Sequence, residues 1–182
     1  MKHTINRSPV NRFVFRASVV FIIWFIFYYV LQADRRTISK PLSQLVVEQS
    51  TALLSVVDSN YHLSIEQRGK YIMHTVCYNT KCLVGVGRGC NALELFILFA
   101  GFVMAFPGPI RHKYWFIPAG ILLIHFLNIC RVAALAVIQF KAPHYLDFNH
   151  KYTFTFLVYG VIFILWLYWV KNYSKKSHEA VE

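Results

Sequence analysis

Acidic residues are scarce in this chain. Asp and Glu number 8 among 182 residues, against 19 Lys and Arg. The charged share is only 15%, and the hydrophobic share is 57%. A soluble globular chain is about 45–50% apolar, so this balance excludes an ordinary soluble domain. Low-complexity tracts and internal repeats are absent, which excludes a repeat array or a disordered scaffold. Cysteine is sparse, at 4 residues, and no Cys-x-x-Cys occurs. A redox dithiol of the usual spacing is therefore missing. The first apolar run also lacks a small-residue cleavage site behind it. Leu31-Gln32-Ala33-Asp34-Arg35-Arg36 fits a signal-peptidase site poorly, so the run reads as a retained anchor.

What the sequence does contain is long apolar runs. Residues 13–32, 90–107, 115–140 and 152–170 read as about four transmembrane helices, and the expected fold is an all-α integral membrane protein of one domain, 1–182. Arg16 near the start of the first run can snorkel to the interface. Trp166, Tyr168 and Trp169 suit an interfacial belt.

The formal net charge of +11 raises nucleic acid as a partner. The placement of the charges argues against it. Lys2, Arg7 and Arg12 precede the first run, Arg111 and Lys113 separate two others, and Lys171, Lys175 and Lys176 follow the last. Basic residues flanking apolar runs report topology and anionic headgroups. The positive-inside rule puts both termini in the cytoplasm and residues 34–89 outside.

That outer segment has some structure. Residues 41–57 read as a helix opened by Ser39 and Pro41. Its apolar residues Leu42, Leu45, Val46, Leu53, Leu54 and Val57 suit a membrane surface. Residues 70–76 and 83–86 resemble a hairpin around Tyr78-Asn79-Thr80-Lys81, across which Cys77 and Cys82 would suit a disulfide.

Three polar groups fall in the outer half of the bilayer under this topology. Cys90 opens the second span after Gly85-Val86-Gly87-Arg88-Gly89, whose glycines allow a tight turn. A thiol at a helix N-terminus beside Arg88 has its thiolate stabilised; the bland alternative is a small apolar residue starting a helix. Arg131 lies within the third span. A guanidinium there costs at least about 2.5–3.5 kcal/mol, so it requires a partner or a wet cavity. Asn128 lies three residues earlier on the same face, and Glu94, one turn below Cys90, is the expected ionic partner. His150 precedes the fourth span and can exchange a proton near neutrality. His144 is its rival in the same loop. His125 reads as a satisfied intramembrane polar group, and Cys130 as a packing residue. A haem or metal site from His125 and His150 is disfavoured by their different depths, so no cofactor or metal is expected.

With these residues set out, the chain resembles the exosortase/archaeosortase family of membrane-embedded cysteine transpeptidases, and within it the short exosortase F-like members. The resemblance rests on Gly89-Cys90-Asn91-Ala92-Leu93-Glu94, on Asn128-Ile129-Cys130-Arg131, and on His150 followed by Gly160 in the last helix. It covers residues 84–170. The commoner family pattern has Ser-Gly after the cysteine, where this chain has Asn91-Ala92. The resemblance implies a multi-pass protein of the bacterial inner membrane with its site on the periplasmic side. It implies substrates that are exported proteins ending in a motif, a transmembrane helix and a basic tail. Cys90, Arg131 and His150 would be catalytic, with Asn128 and Glu94 supporting. The acceptor would be an amine on a glycan or lipid. Two alternatives come from other classes: a non-enzymatic membrane subunit or assembly factor, and a four-helix thiol oxidoreductase.

Overall fold

The computed structural model describes residues 15, 18, 19, 21, 22 and 25, and then 35–68, 71–87, 90–106 and 108–174. The first six are helical. The rest of the span expected at 13–32, the N-terminal basic cluster, Arg88, and Lys175 and Lys176 of the tail lie outside the described residues.

Helix α1 (Arg35–Val57) starts earlier than the sequence suggests and carries Pro41 inside it. It does not lie free on a surface. Val46, Val47, Ser50, Thr51 and Leu54 form a buried stripe at helical spacing. The Ser50 and Thr51 hydroxyls donate back to the carbonyls of Val46 and Val47, at 2.7 and 2.8 Å, so their burial leaves no hydroxyl unmatched. Leu45, Leu53 and Val57, expected at a membrane surface together with Val46 and Leu54, are on the exposed side.

Strands β1 (Tyr61–Arg68), β2 (Tyr71–Tyr78) and β3 (Lys81–Gly85) form an antiparallel sheet in the order β1-β2-β3. The fold is therefore not all-α. The β2–β3 hairpin matches the expected one, with Asn79 at φ 50° in its turn and a Cys77–Cys82 disulfide across it. Strand β1 was not anticipated, although Tyr61-His62-Leu63-Ser64-Ile65-Glu66 alternates apolar and polar residues at the strand period of two.

Helix α2 (Leu93–Ala105) has 13 residues and rises about 20 Å. That is less than the ~30 Å of a bilayer's hydrocarbon core. Helix α3 (Ile110–Lys141) has 32 residues. After it, a helical stretch runs from Pro143 to Ser174, with α-helix α4 (Phe154–Trp169) flanked by single π turns at Asn149–Thr153 and Val170–Ser174. Two helices, Ile110–Lys141 and Pro143–Tyr173, are long and apolar enough to cross a membrane.

Two apolar clusters share α3. One joins Val46, Val47 and Leu54 of α1, Tyr61 and Val76 of the sheet, and Val132, Ala133 and Ala136 of α3. The other joins Phe99 and Val103 of α2, Ile124 of α3, and Val158, Ile162 and Trp169 of α4. At Gly120 the Phe99 ring fills the space a Cβ would take, which lets α2 and α3 approach closely. Polar bonds also tie α1 to α3. Gln49 Oε1 and His125 Nε2 are 2.7 Å apart, and the Ser50 hydroxyl donates to the Ile129 carbonyl at 3.2 Å. His125 thus has a partner at Nε2, while its Nδ1 is buried without one, so the satisfied polar group the sequence suggests is only half realised.

Between α2 and α3, Arg111 is exposed while Lys113 is buried. Lys113 Nζ donates to the carbonyls of Met104 and Phe106, at 3.0 and 2.8 Å. A helix end leaves its last carbonyls without intrahelical donors, and a lysine there satisfies them and complements the dipole. Replacing Lys113 by Met keeps its length and removes the donor. The expected cost is about 1–3 kcal/mol, read as a lower thermal midpoint in detergent by about 2–4 °C per kcal/mol.

Candidate active site

Cys90 does not sit in the first turn of α2 but in a 3-10 turn ahead of it. Its amide donates to the Gly87 carbonyl at 3.0 Å, and α2 starts only at Leu93. Two residues make the junction. Ala92 takes the left-handed conformation, φ 62° and ψ 6°. Asn91 accepts from the Leu93 amide through Oδ1 at 3.2 Å, which satisfies one of the free donors at the start of α2. The left-handed residue at this junction is therefore an alanine, and Gly89 lies outside the described residues. Neither Gly85 nor Gly87 has a positive φ.

Helix α3 supplies the second element. Asn128, buried on α3, donates from Nδ2 to the Cys90 carbonyl at 2.9 Å. Arg131 is one turn further on. Its Nη2 donates to the His150 carbonyl at 3.4 Å, and its Nε is buried without a partner. No carboxylate pairs with Arg131 among the described residues. Glu94 is exposed, and the expected ion pair between it and Arg131 does not form. That expectation required Cys90 and Glu94 to share one helix face. The left-handed turn at Ala92 separates them, so the helical spacing does not apply.

The third element is the π turn Asn149–Thr153. A π turn widens the backbone spiral and commonly re-aims a side chain at a functional site. Here it carries His150, whose Nε2 lies 3.3 Å from Cys90 Sγ. Which nitrogen holds the proton depends on the tautomer. His144 is exposed and rests against the Tyr145 ring, with centroids 3.9 Å apart. The geometry thus brings together Cys90, Asn128, Arg131 and His150, and leaves out Glu94 and His144. Cys130 is a free thiol on α3, partly buried.

A thiol beside an imidazole, with a guanidinium bonded to the backbone carbonyl of that histidine, is a nucleophile–base pair near a fixed positive charge. The comparisons bear on what such a pair belongs to. The family model described as transmembrane exosortase (Exosortase_EpsH) matches residues 11–170. The chain belongs to this family. No curated protein and no solved structure matches it. Exosortases are membrane proteins with a general role as cysteine transpeptidases, and the long apolar helices of this exosortase agree with that setting.

Sequence reasoning missed Asn91 and the serines it holds. Its amide donates to Ser39 Oγ at 2.7 Å, to the Ser39 carbonyl at 3.2 Å and to Ser43 Oγ at 3.3 Å. The available signal was an asparagine next to a candidate nucleophile at the edge of an apolar run, where an unpaired amide is costly. Ala92 gives a test of the turn in this exosortase. The left-handed conformation costs an L residue about 1–2 kcal/mol. Ala92→Gly removes that cost but loses a buried methyl worth about 0.8 kcal/mol, so its stability is expected within about 1 kcal/mol of wild type. Ala92→Val puts a β-branched residue where φ is positive and is expected to cost more than about 2 kcal/mol. Thermal midpoints of the three proteins in one detergent check both expectations.

Proposed function

We propose that this exosortase cleaves the C-terminal sorting signal of exported proteins through a thioacyl-enzyme intermediate and passes the cleaved protein to an acceptor. The observation that carries the reading is the 3.3 Å approach of Cys90 Sγ to His150 Nε2 across a sequence separation of 60 residues, with Arg131 held beside them. In this reading the His150 imidazole takes the Cys90 proton as the sulfur attacks the scissile carbonyl. The carbonyl oxygen becomes anionic, and the Arg131 guanidinium stabilises it. Collapse of the tetrahedral adduct breaks the C–N bond. His150 returns the proton to the leaving amine, which departs with the substrate's transmembrane helix and basic tail. An amine acceptor on a glycan or lipid then attacks the thioester and releases Cys90. Water in its place gives simple proteolysis.

The same reading places the chain as a single domain in the bacterial inner membrane with about four crossing helices, both termini in the cytoplasm and the site on the periplasmic side. Asn128 supports the nucleophile through its carbonyl. The partner of Cys90 is a histidine and the outer cysteines are already joined, an arrangement that suits acyl transfer better than dithiol exchange.

The test is mass spectrometry of the C-terminal peptides of exported proteins in the native host, comparing wild type with Cys90→Ala at equal protein level. The expected result is a set of proteins that keep the helix and basic tail only in the variant. Arg131→Ala and His150→Ala are expected to slow processing by about 100-fold or more. Matching proteomes from wild type and Cys90→Ala would remove the nucleophile and the proposed activity together.

A further inference from the structure

Cys90 is held through the residues around it, and Asn91 supplies the half of that hold that no motif accounts for. Asn91 is 2% exposed. The Oδ1 atom accepts from the Leu93 amide, and the two N–H groups face Ser39 Oγ, the Ser39 carbonyl and Ser43 Oγ on α1. Both donor hydrogens of Asn91 are thus committed to α1. A carboxylate at this place would have no donor and would set a buried charge against the Ser39 carbonyl. A serine would be too short to reach α1 and cap α2 at once.

The bonds close a ring around the nucleophile. Asn128 of α3 holds the Cys90 carbonyl. Asn91, the next residue, is held by α1. Helix α1 is itself fixed to α3 through Ser50 and Ile129 and through Gln49 and His125. Directly after these supports, under the Asn91–Leu93 bond, comes the left-handed Ala92, a conformation that costs an alanine free energy. Release of Asn91 lets the Cys90–Ala92 turn relax and swings the sulfur away from His150.

We propose that Asn91 is a positioning residue that ties the Cys90 turn to α1 and so keeps Cys90 Sγ within reach of His150 Nε2. The inference rests on the reading of Cys90 and His150 as the reacting pair.

The test uses full-length protein in membranes, in a Cys130→Ala background. With Cys77 and Cys82 bonded, Cys90 is then the sole free thiol of the 4 cysteines. The rate of Cys90 alkylation by N-ethylmaleimide is measured against pH for otherwise unaltered protein, Asn91→Ala, His150→Ala and the double variant. His150→Ala is expected to slow alkylation near neutral pH by about tenfold, towards an unassisted thiol. Asn91→Ala is expected to give the same loss and the same displaced pH profile, and the double variant to add nothing further. Ser39→Ala with Ser43→Ala leaves the Asn91 cap of α2 intact. It is expected to move the profile the same way by a smaller factor, and it replaces Asn91→Ala as the deciding variant if that protein does not accumulate. The proposal is overturned if the deciding variant alkylates like the parent at every pH while His150→Ala does not. It is equally overturned if the losses multiply in the double variant, since Asn91 would then act independently of His150. If His150→Ala itself leaves the profile unchanged, the Cys90–His150 pairing falls, and the role of Asn91 falls with it.

Discussion

A helix of 32 residues rises about 48 Å, and an apolar bilayer core accounts for only ~30 Å of it. That mismatch shapes the molecule. The part of α3 around Ile124 is covered by α2 and α4 with bulky apolar side chains, among them Phe99 and Trp169. The part around Ala133 and Ala136 is covered by α1 and the sheet with smaller ones, among them Val47 and Val76. A chain that passes from one covering to the other must cross the boundary between them. Val86 is buried in one cluster and Ala92 in the other. Cys90 lies at that crossing. It is placed where backbone leaves regular structure and where polar groups already have to be satisfied.

This explains what the sequence revealed and what it hid. Arg131 stood out because a guanidinium is costly in an apolar setting, and Cys90 and His150 because of their places at the ends of apolar runs, all of which can be read locally. The hairpin stood out because its turn residues and flanking β-formers are local as well. The rest depends on long-range partners. Asn91 is buried because Ser39 and Ser43 lie some 50 residues upstream in sequence and close in space, and no period or motif encodes that meeting. Glu94 was misassigned as the ionic partner of Arg131 for the related reason that helical spacing was carried through Ala92, whose left-handed backbone ends the helix register there. Strand β1 was legible in its alternation, although Leu63 and Ile65 on its apolar side are exposed in the fold.

Helix α1 shows how tertiary packing overrides local signals. Ser39 and Pro41 form a reasonable helix start, yet the helix extends from Arg35 and the proline is inside it. Ser39 is spent on Asn91 and is not the cap of α1. Its amphipathic pattern was real but had more than one reading, since a stripe that can face lipid can equally face a neighbour. The polar members decide between them. Ser50 and Gln49 bond to α3, and at a lipid surface these bonds would have no counterpart. Helix α1 is therefore packed as a wall beside the candidate site.

Two atoms near Cys90 remain unmatched, and both are on the same face of α3. Asn128 Oδ1 and Arg131 Nε are buried without partners. Each such atom costs about 1–3 kcal/mol, more where the group is charged. Under the proposed chemistry the Arg131 cost has a use. A donor already stripped of water, held one turn from Asn128 and beside the Cys90–His150 pair, gains its partner only when an oxygen next to the sulfur becomes anionic. The interaction is then stronger in the transition state than before it, which is the condition for a buried charge to speed a reaction. An ion pair with Glu94 would have removed that advantage. The exposure of Glu94 is in this sense consistent with the reading that makes Arg131 catalytic.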